Sequence, residues 1–164
     1  MMKTAQAGVA RPHELQAGSA ALGELFSETI IFLHLAARRQ GLTLPQLILL
    51  RMLQVKGPLP PSQIADQFGI SRPAVTSSLN ILESAGWVVR SAPGADRRSH
   101  RTSLTARSRR VLLNVESERR QFLEEGLAGI GGRQRAELAR TLTLLVANLR
   151  QIHGPGAIPL RLPK

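Results

Sequence analysis

The sequence predicts a mostly α-helical chain with one small β-hairpin. Three observations predict it. Apolar residues recur at helical spacing over most of the length. The period switches to strand-like only after Gly86. Glycine and proline punctuate the helical runs at short intervals through the middle.

Residues 1–13 are small and mixed, with Gly8 and Pro12, and read as a mobile arm. From Glu14 to Gln40 there is no proline, and Leu15, Leu22, Phe26, Ile30, Leu33 and Ala37 line one helical face; Gly41 ends it. Thr43 is a candidate cap for a second helix, with Pro45 in its first turn and Leu47, Leu50 and Leu53 inside. The run Gly57 to Pro61 breaks that helix. Ser62 is then expected to cap a short helix from Gln63 to Phe68, and Ser71 the next, from Arg72 to Ala85. Trp87 to Arg90 reads as a strand, Ala92 to Asp96 as turn chemistry, and Arg97 to Leu104 as the returning strand. Thr105 caps a long helix reaching about Leu127; after Gly129 to Gly132, a last helix runs from about Gln134 to Ile152. Residues 154–164 hold three Pro and two Gly and read as a non-helical tail.

Composition removes several functions. The 164 residues include no cysteine, so disulfides, thiol nucleophiles, iron–sulfur clusters, Cys-zinc sites and cysteine redox sensing are out. The four histidines are scattered without metal-ligand spacing, so no metal site and no cofactor is expected. Gly129 to Gly132 lacks the Lys-Ser/Thr and the preceding strand of a phosphate loop. No nucleophile–base pair stands out, and an enzyme is not expected. No apolar run of the roughly 18 residues needed for a membrane span is apparent. Nor does Met1 to His13 carry the apolar core of a signal peptide, so no membrane partner is expected and the cytoplasm is the expected compartment. Only Trp87 and four Phe supply rings, which argues against stacking on single strands.

Charge points to a polyanion. Lys and Arg number 22 against 11 acids, a net +11. The central segment shows how it would be read. Ile64, Ala65 and Phe68 form one apolar face, and Val75, Leu79 and Leu82 another. Gly69 between them allows the positive φ of a tight turn, and Ile70 is expected to plug the angle between the helices. Outside remain Ser71, Arg72, Pro73, Thr76, Ser77 and Asn80, small or hydrogen-bonding, the surface that fits a major groove. This is a helix-turn-helix. A bare three-helix core is its bland alternative; basic charge, hairpin and small reading surface together favour DNA. From Arg90 to Arg110 there are seven Arg and one acid, Asp96. A hairpin tip with Arg97 and Arg98 can enter a minor groove, and Arg90 and Arg101 can hold phosphates. The hairpin is then a wing.

Leu42-Thr43-Leu44-Pro45-Gln46, Ser71-Arg72-Pro73-Ala74-Val75-Thr76, Leu79 to Val88, Asp96-Arg97-Arg98-Ser99 and Ser103-Leu104-Thr105 together resemble the MarR family of bacterial transcriptional regulators, over about Leu42 to Leu113. The resemblance implies a winged helix-turn-helix flanked by intertwined N- and C-terminal helices in a homodimer, each half reading part of a near-palindromic duplex. It makes Arg98 the wing-tip arginine and Asp96 the residue that orients the wing. It also implies a small aromatic or phenolic effector that lowers DNA affinity, with Phe32, His34 and Arg51 as candidate lining. For His34, a packing histidine is the other reading. Ser108 stands where the family usually has Gly, and the helix start is expected to survive it.

The expected organisation is an arm (1–13), a dimerisation helix (14–41), the DNA-binding domain (42–104), C-terminal dimerisation helices (105–153) and a tail (154–164). Leu22 and Phe26, with Leu138, Leu142, Leu145, Leu149 and Ile152 stepping by four, three, four and three, form the expected dimer seam. Packing within one chain is the alternative for that stripe. The expected function is a sequence-specific, double-stranded-DNA-binding regulator, read as a repressor. A sequence-tolerant architectural binder is the alternative.

Overall fold

A computed structural model of the protein describes residues 12–91 and 100–153. The described elements are α1 (Pro12–Arg39), α2 (Leu44–Lys56), α3 (Pro61–Phe68), α4 (Arg72–Ser84), β1 (Val88–Arg90), β2 (Thr102–Leu104), α5 (Ala106–Gly126) and α6 (Gly132–His153). The expected order holds, with shifts at several ends. α1 begins inside the expected arm, at Pro12, whose fixed φ suits a first helical turn. α6 starts at Gly132, earlier than expected. The strands are shorter than expected, three residues each. Residues 92–99, with the expected turn, Asp96, Arg97 and Arg98, lie outside the described residues, as do residues 1–11 and the tail.

The caps explain most of the boundaries. Thr43 closes a full capping box: Thr43 Oγ1 accepts from the Gln46 amide (3.3 Å), and Gln46 Oε1 accepts from the Thr43 amide (2.8 Å). Ser71 Oγ accepts from the Ala74 amide at 3.4 Å. Thr105 Oγ1 accepts from the Ser108 amide at 3.2 Å. Ser62 does not cap α3. The helix starts two residues earlier than expected, at Pro61, with Pro60 at the cap position and no side-chain cap bond. Two prolines fix the extended-to-helical transition there, and a proline has no N–H to satisfy.

The core sits where α2, α3, α4, the hairpin and the adjoining ends of α1 and α5 meet. Leu50, Ile64, Val75, Leu79 and Leu82 are fully buried at its centre, with Trp87, Val88, Leu112 and Val115 around them. Each such aliphatic side chain contributes about 1.5–3 kcal/mol of burial. β1 and β2 pair antiparallel with Val88 opposite Leu104, Val89 opposite Ser103 and Arg90 opposite Thr102. The alternation is that of a half-buried strand: Val88 is buried and Val89 exposed. Leu59 joins the far side of β2. Its amide donates to the Thr102 carbonyl (3.2 Å), and its carbonyl accepts from the Thr102 amide (2.8 Å). The Pro-rich connection between α2 and α3 is thus stitched to the wing root. Ser108 is buried and donates through Oγ to the Trp87 carbonyl, so the helix start survives the Gly-to-Ser departure.

The ends are different. None of α6 from Gly132 to Ile152 is buried, and it has no extensive packing partner among the described residues. The middle of α1 is likewise bare, with Leu25, Phe26, Ile30 and Ile31 exposed. The expectation about membrane length needs correcting. Gln16–Arg39 has a mean hydropathy of 1.4 and is long and apolar enough to cross a membrane by length and composition, with 11% buried. Alanines and scattered aliphatic residues raise the mean without forming an unbroken apolar run. Glu24 and Glu28 lie within it, where hydrocarbon would be costly for them, and its C-terminal end packs on α2 and α5.

Candidate nucleic-acid interface

α3 and α4 pack against each other across a three-residue connection, 69–71. Gly69 is left-handed (φ 62°, ψ 30°), and its amide donates to the Ala65 carbonyl, as does that of Ile70 at 3.2 Å. One of the last carbonyls, that of Ala65, thus accepts two amides while the chain reverses. Ile70 does not plug the angle: it is 41% exposed. Leu79, Val75 and Ile64 already fill that space.

α4 then turns one face inward and another out. Val75, Leu79 and Leu82 are buried, whereas Arg72, Pro73, Ala74, Thr76, Ser77 and Asn80 are exposed. No acid occupies the first turn. Its amide dipoles therefore add to the cationic guanidinium of Arg72. Ser71 is exposed but spends its hydroxyl oxygen on the cap.

The arginines around this face are not equivalent. Arg72 makes no hydrogen bond or ion pair among the described residues. Arg90 is turned onto α4: Nη2 donates to Asn80 Oδ1 at 2.6 Å, and Nε lies 3.4 Å from Glu83 Oε2. Arg101 donates to the Pro58 carbonyl at 3.3 Å. Arg107 lies over the Trp87 ring, 4.1 Å from its centre, and donates to the Ala85 carbonyl. Arg109 donates to the Leu104 carbonyl at 3.0 Å. Four of the arginines counted as basic surface therefore also hold the wing to the helices. Arg90 and Arg101, expected to be free for phosphates, are partly engaged, and Asn80 carries an intramolecular bond.

A second charged group lies behind the core. Glu116 on α5 pairs with Arg119 and, at 3.3 Å, with Arg51 of α2; Glu118 pairs with Arg39 of α1 at 2.6 Å. The Arg119 hydrogen bond, helped by the charges of Arg119, Arg51 and Arg120, holds the Glu116 carboxyl below its ordinary value against the opposing effect of burial. Phe32 stacks on Phe122 with ring centres 4.9 Å apart and planes at 19°. Phe32 and Arg51 thus both meet α5, while His34 is exposed and is neither a packed core histidine nor drawn to them. Of the expected seam, Leu22, Leu138, Leu142 and Leu145 are half-buried, and Phe26, Leu149 and Ile152 are exposed. A shallow groove beside the stripe is lined by Leu142, Thr143, Val146, Ala147 and Arg150.

A family model described as the MarR family matches residues 40–99, a segment that holds α2, α3, α4 and β1. The chain is 34% identical over 105 residues to the HTH-type transcriptional repressor Rv2887 of Mycobacterium tuberculosis, covering 64% of this chain and 76% of that protein. The chain belongs to the MarR family. The family's members are DNA-binding transcriptional regulators, not enzymes. Solved structures share the fold. A MarR family protein from Bacillus stearothermophilus superposes with a TM-score of 0.76 at 16% identity, covering 86% of this chain and 99% of that one. The transcriptional regulator Tm0710 from Thermotoga maritima gives 0.72 at 22% identity, with 85% and 99% covered. FabT of Streptococcus pneumoniae, solved in complex with DNA, gives 0.69 at 22%, with 84% and 99% covered.

Three functional features escaped the sequence reading. Glu83 as a partner of Arg90, Trp87 as a seat for Arg107, and Leu59 as a third partner of the hairpin all depend on which elements come together. Only the i, i+3 spacing of Asn80 and Glu83 was visible beforehand, and it does not name the strand arginine opposite them.

Proposed function

We propose that this MarR-family regulator acts as a repressor, binding a near-palindromic DNA duplex as a homodimer in the cytoplasm. The observation that carries the reading is the exposed face of the first two turns of α4, Arg72 to Ser77: small or hydrogen-bonding side chains with a single cation and no acid, presented by a helix buried on its other side. In this reading Arg72, Pro73, Thr76 and Ser77 face base edges, with Ser71 and Asn80 at either end of the row. Arg97 and Arg98 enter the adjacent minor groove with the wing oriented by Asp96, and Arg101 lies beside a phosphate. FabT, which shares this fold, was solved in complex with DNA, and that supports DNA as the partner.

Homodimerisation is supported by the bare apolar faces of α1 and α6, which one chain leaves uncovered. Two-fold symmetry then places the half-sites about one helical turn apart. An aromatic or phenolic effector is supported by the Phe32–Phe122 stack and the Arg51–Glu116 pair, six residues apart along α5 and so about 9 Å from one another along its axis. An effector there would bias the spacing of the two reading helices.

The test is selection of duplexes from a random pool at physiological salt. An inverted repeat with half-sites one turn apart is the expected result. A bound pool without a motif would favour the sequence-tolerant architectural binder, for which the charge of +11 is the supporting observation.

A further inference from the structure

We infer that Arg90 is a positioning residue: it locks the wing root to the reading helix through Asn80 and Glu83 and does not hold a phosphate. The inference rests on the DNA-binding reading of α4.

Asn80 and Glu83 are three residues apart, so they are neighbours on one side of α4. Arg90 ends β1, the strand that follows α4 after a short turn. Its guanidinium spans both side chains, with Nη2 at 2.6 Å from Asn80 Oδ1 and Nε at 3.4 Å from Glu83 Oε2. Only 26% of the Arg90 side chain is exposed, and Nε is buried without a hydrogen-bond partner among the described residues, so its contact with Glu83 is an ion pair and not a hydrogen bond. A guanidinium has a planar fork of spaced donors and no acceptor, so it reaches two separated partners in a fixed geometry that the single nitrogen of an ammonium does not reproduce. One nitrogen is therefore hydrogen-bonded to the helix, and a neighbouring carboxylate pairs with its charge. A phosphate would have to compete with Glu83 for it.

The bridge has a second effect. Arginine can only donate, so it fixes the flip of the Asn80 carboxamide. Oδ1 faces Arg90, and the amide N–H groups are what Asn80 has left to present. The same residue thus sets the angle of the wing to the helix and the polarity of one side chain at the edge of the reading face.

The two roles separate in a salt titration. A phosphate contact contributes roughly 0.9 to the slope of log K against log salt, on any duplex alike. A positioning residue contributes to specific binding without changing that slope. The experiment measures fluorescence anisotropy of the full chain on a selected duplex and on a scrambled one, between low and physiological salt, for wild type, Arg90→Ala, Arg90→Lys and Glu83→Gln. Thermal melts accompany each variant. Arg90→Ala is expected to weaken the selected duplex roughly five- to tenfold, about the worth of a partly exposed charge-assisted hydrogen bond. The salt slope and the scrambled duplex should be unchanged. Arg90→Lys should fall short of wild type on the selected duplex, because it keeps the charge beside Glu83 but not the planar fork that fixes Asn80. A slope lower by about one, equal losses on both duplexes, or full rescue by Lys would overturn the inference.

Glu83→Gln keeps the test decisive if Arg90→Ala unfolds. Positioning predicts weaker specific binding with the scrambled duplex unaffected. Tighter binding to both duplexes, as expected on freeing a phosphate-seeking cation, would overturn it. Failure of the underlying reading looks different: wild type itself would bind both duplexes equally.

Discussion

Gly69→Ala tests the turn on which the reading helix hangs. The residue sits at φ 62° and ψ 30°, and a Cβ built there meets nothing within 4 Å. The steric contribution is therefore negligible, and the cost is the backbone's own. Holding an L-residue in the left-handed region costs roughly 1–2 kcal/mol. Alanine also narrows the unfolded ensemble, which returns about 0.4–1 kcal/mol. The difference is a net loss of about 1 kcal/mol, or roughly 2–4 °C for a chain of this size. Urea denaturation at fixed protein concentration measures it, since association would make the midpoint concentration-dependent. The midpoint should fall with the slope unchanged. Gly69→Asn should lose less, because asparagine tolerates this region better than alanine. A Gly69→Ala protein as stable as wild type would show that the turn is not held left-handed. A loss of about 3 kcal/mol or more would show a clash that the open space around Gly69 excludes.

Three further outcomes are expected. Thr102 is fully buried, and its hydroxyl has no hydrogen-bond partner among the described residues, so Thr102→Val should stabilise by about 1 kcal/mol while keeping the backbone bonds to Leu59; an unchanged or lower urea midpoint would reveal a partner for that hydroxyl. The lowered pKa of Glu116 means its pairing stabilises the fold fully above the ordinary value of 4.5 and is lost as pH falls through the depressed folded-state value. Glu116→Gln should therefore separate from wild type near neutrality and converge with it in acid, and a gap of constant size from pH 7 to pH 3 would contradict the linkage. Leu145→Asp, on the half-buried seam of α6, should convert a dimer to a monomer in sedimentation velocity; an undisturbed dimer would place the interface elsewhere.

Much of the centre was legible because its signals are local. Thr43, Ser71 and Thr105 announce caps by hydrogen-bonding chemistry that needs no tertiary partner, and all three make those bonds. The apolar spacing of Val75, Leu79 and Leu82 identified the buried side of α4 for the same reason. Ser62 misled because a good cap residue lost to the two prolines before it. Ile70 misled because hydrophobicity states a preference for burial, and a filled core leaves no room to grant it. The arginines were the largest gap. A sequence counts their charges, but whether a guanidinium faces solvent, a carboxylate, a carbonyl or an indole depends on elements far apart in the chain, 43 residues for Arg101 and Pro58 and 79 for Arg39 and Glu118.

The paired bonds between Leu59 and Thr102 have a thermodynamic consequence. They close the wing root onto the connection between α2 and α3, so the base of the hairpin and the helix-turn-helix are already one ordered surface before any duplex arrives. Ordering entropy that a flexible reader would lose on docking has been lost at the folding step instead. Calorimetry of DNA binding should then show a heat-capacity decrement set by the area covered at this surface, without the larger decrement of coupled folding.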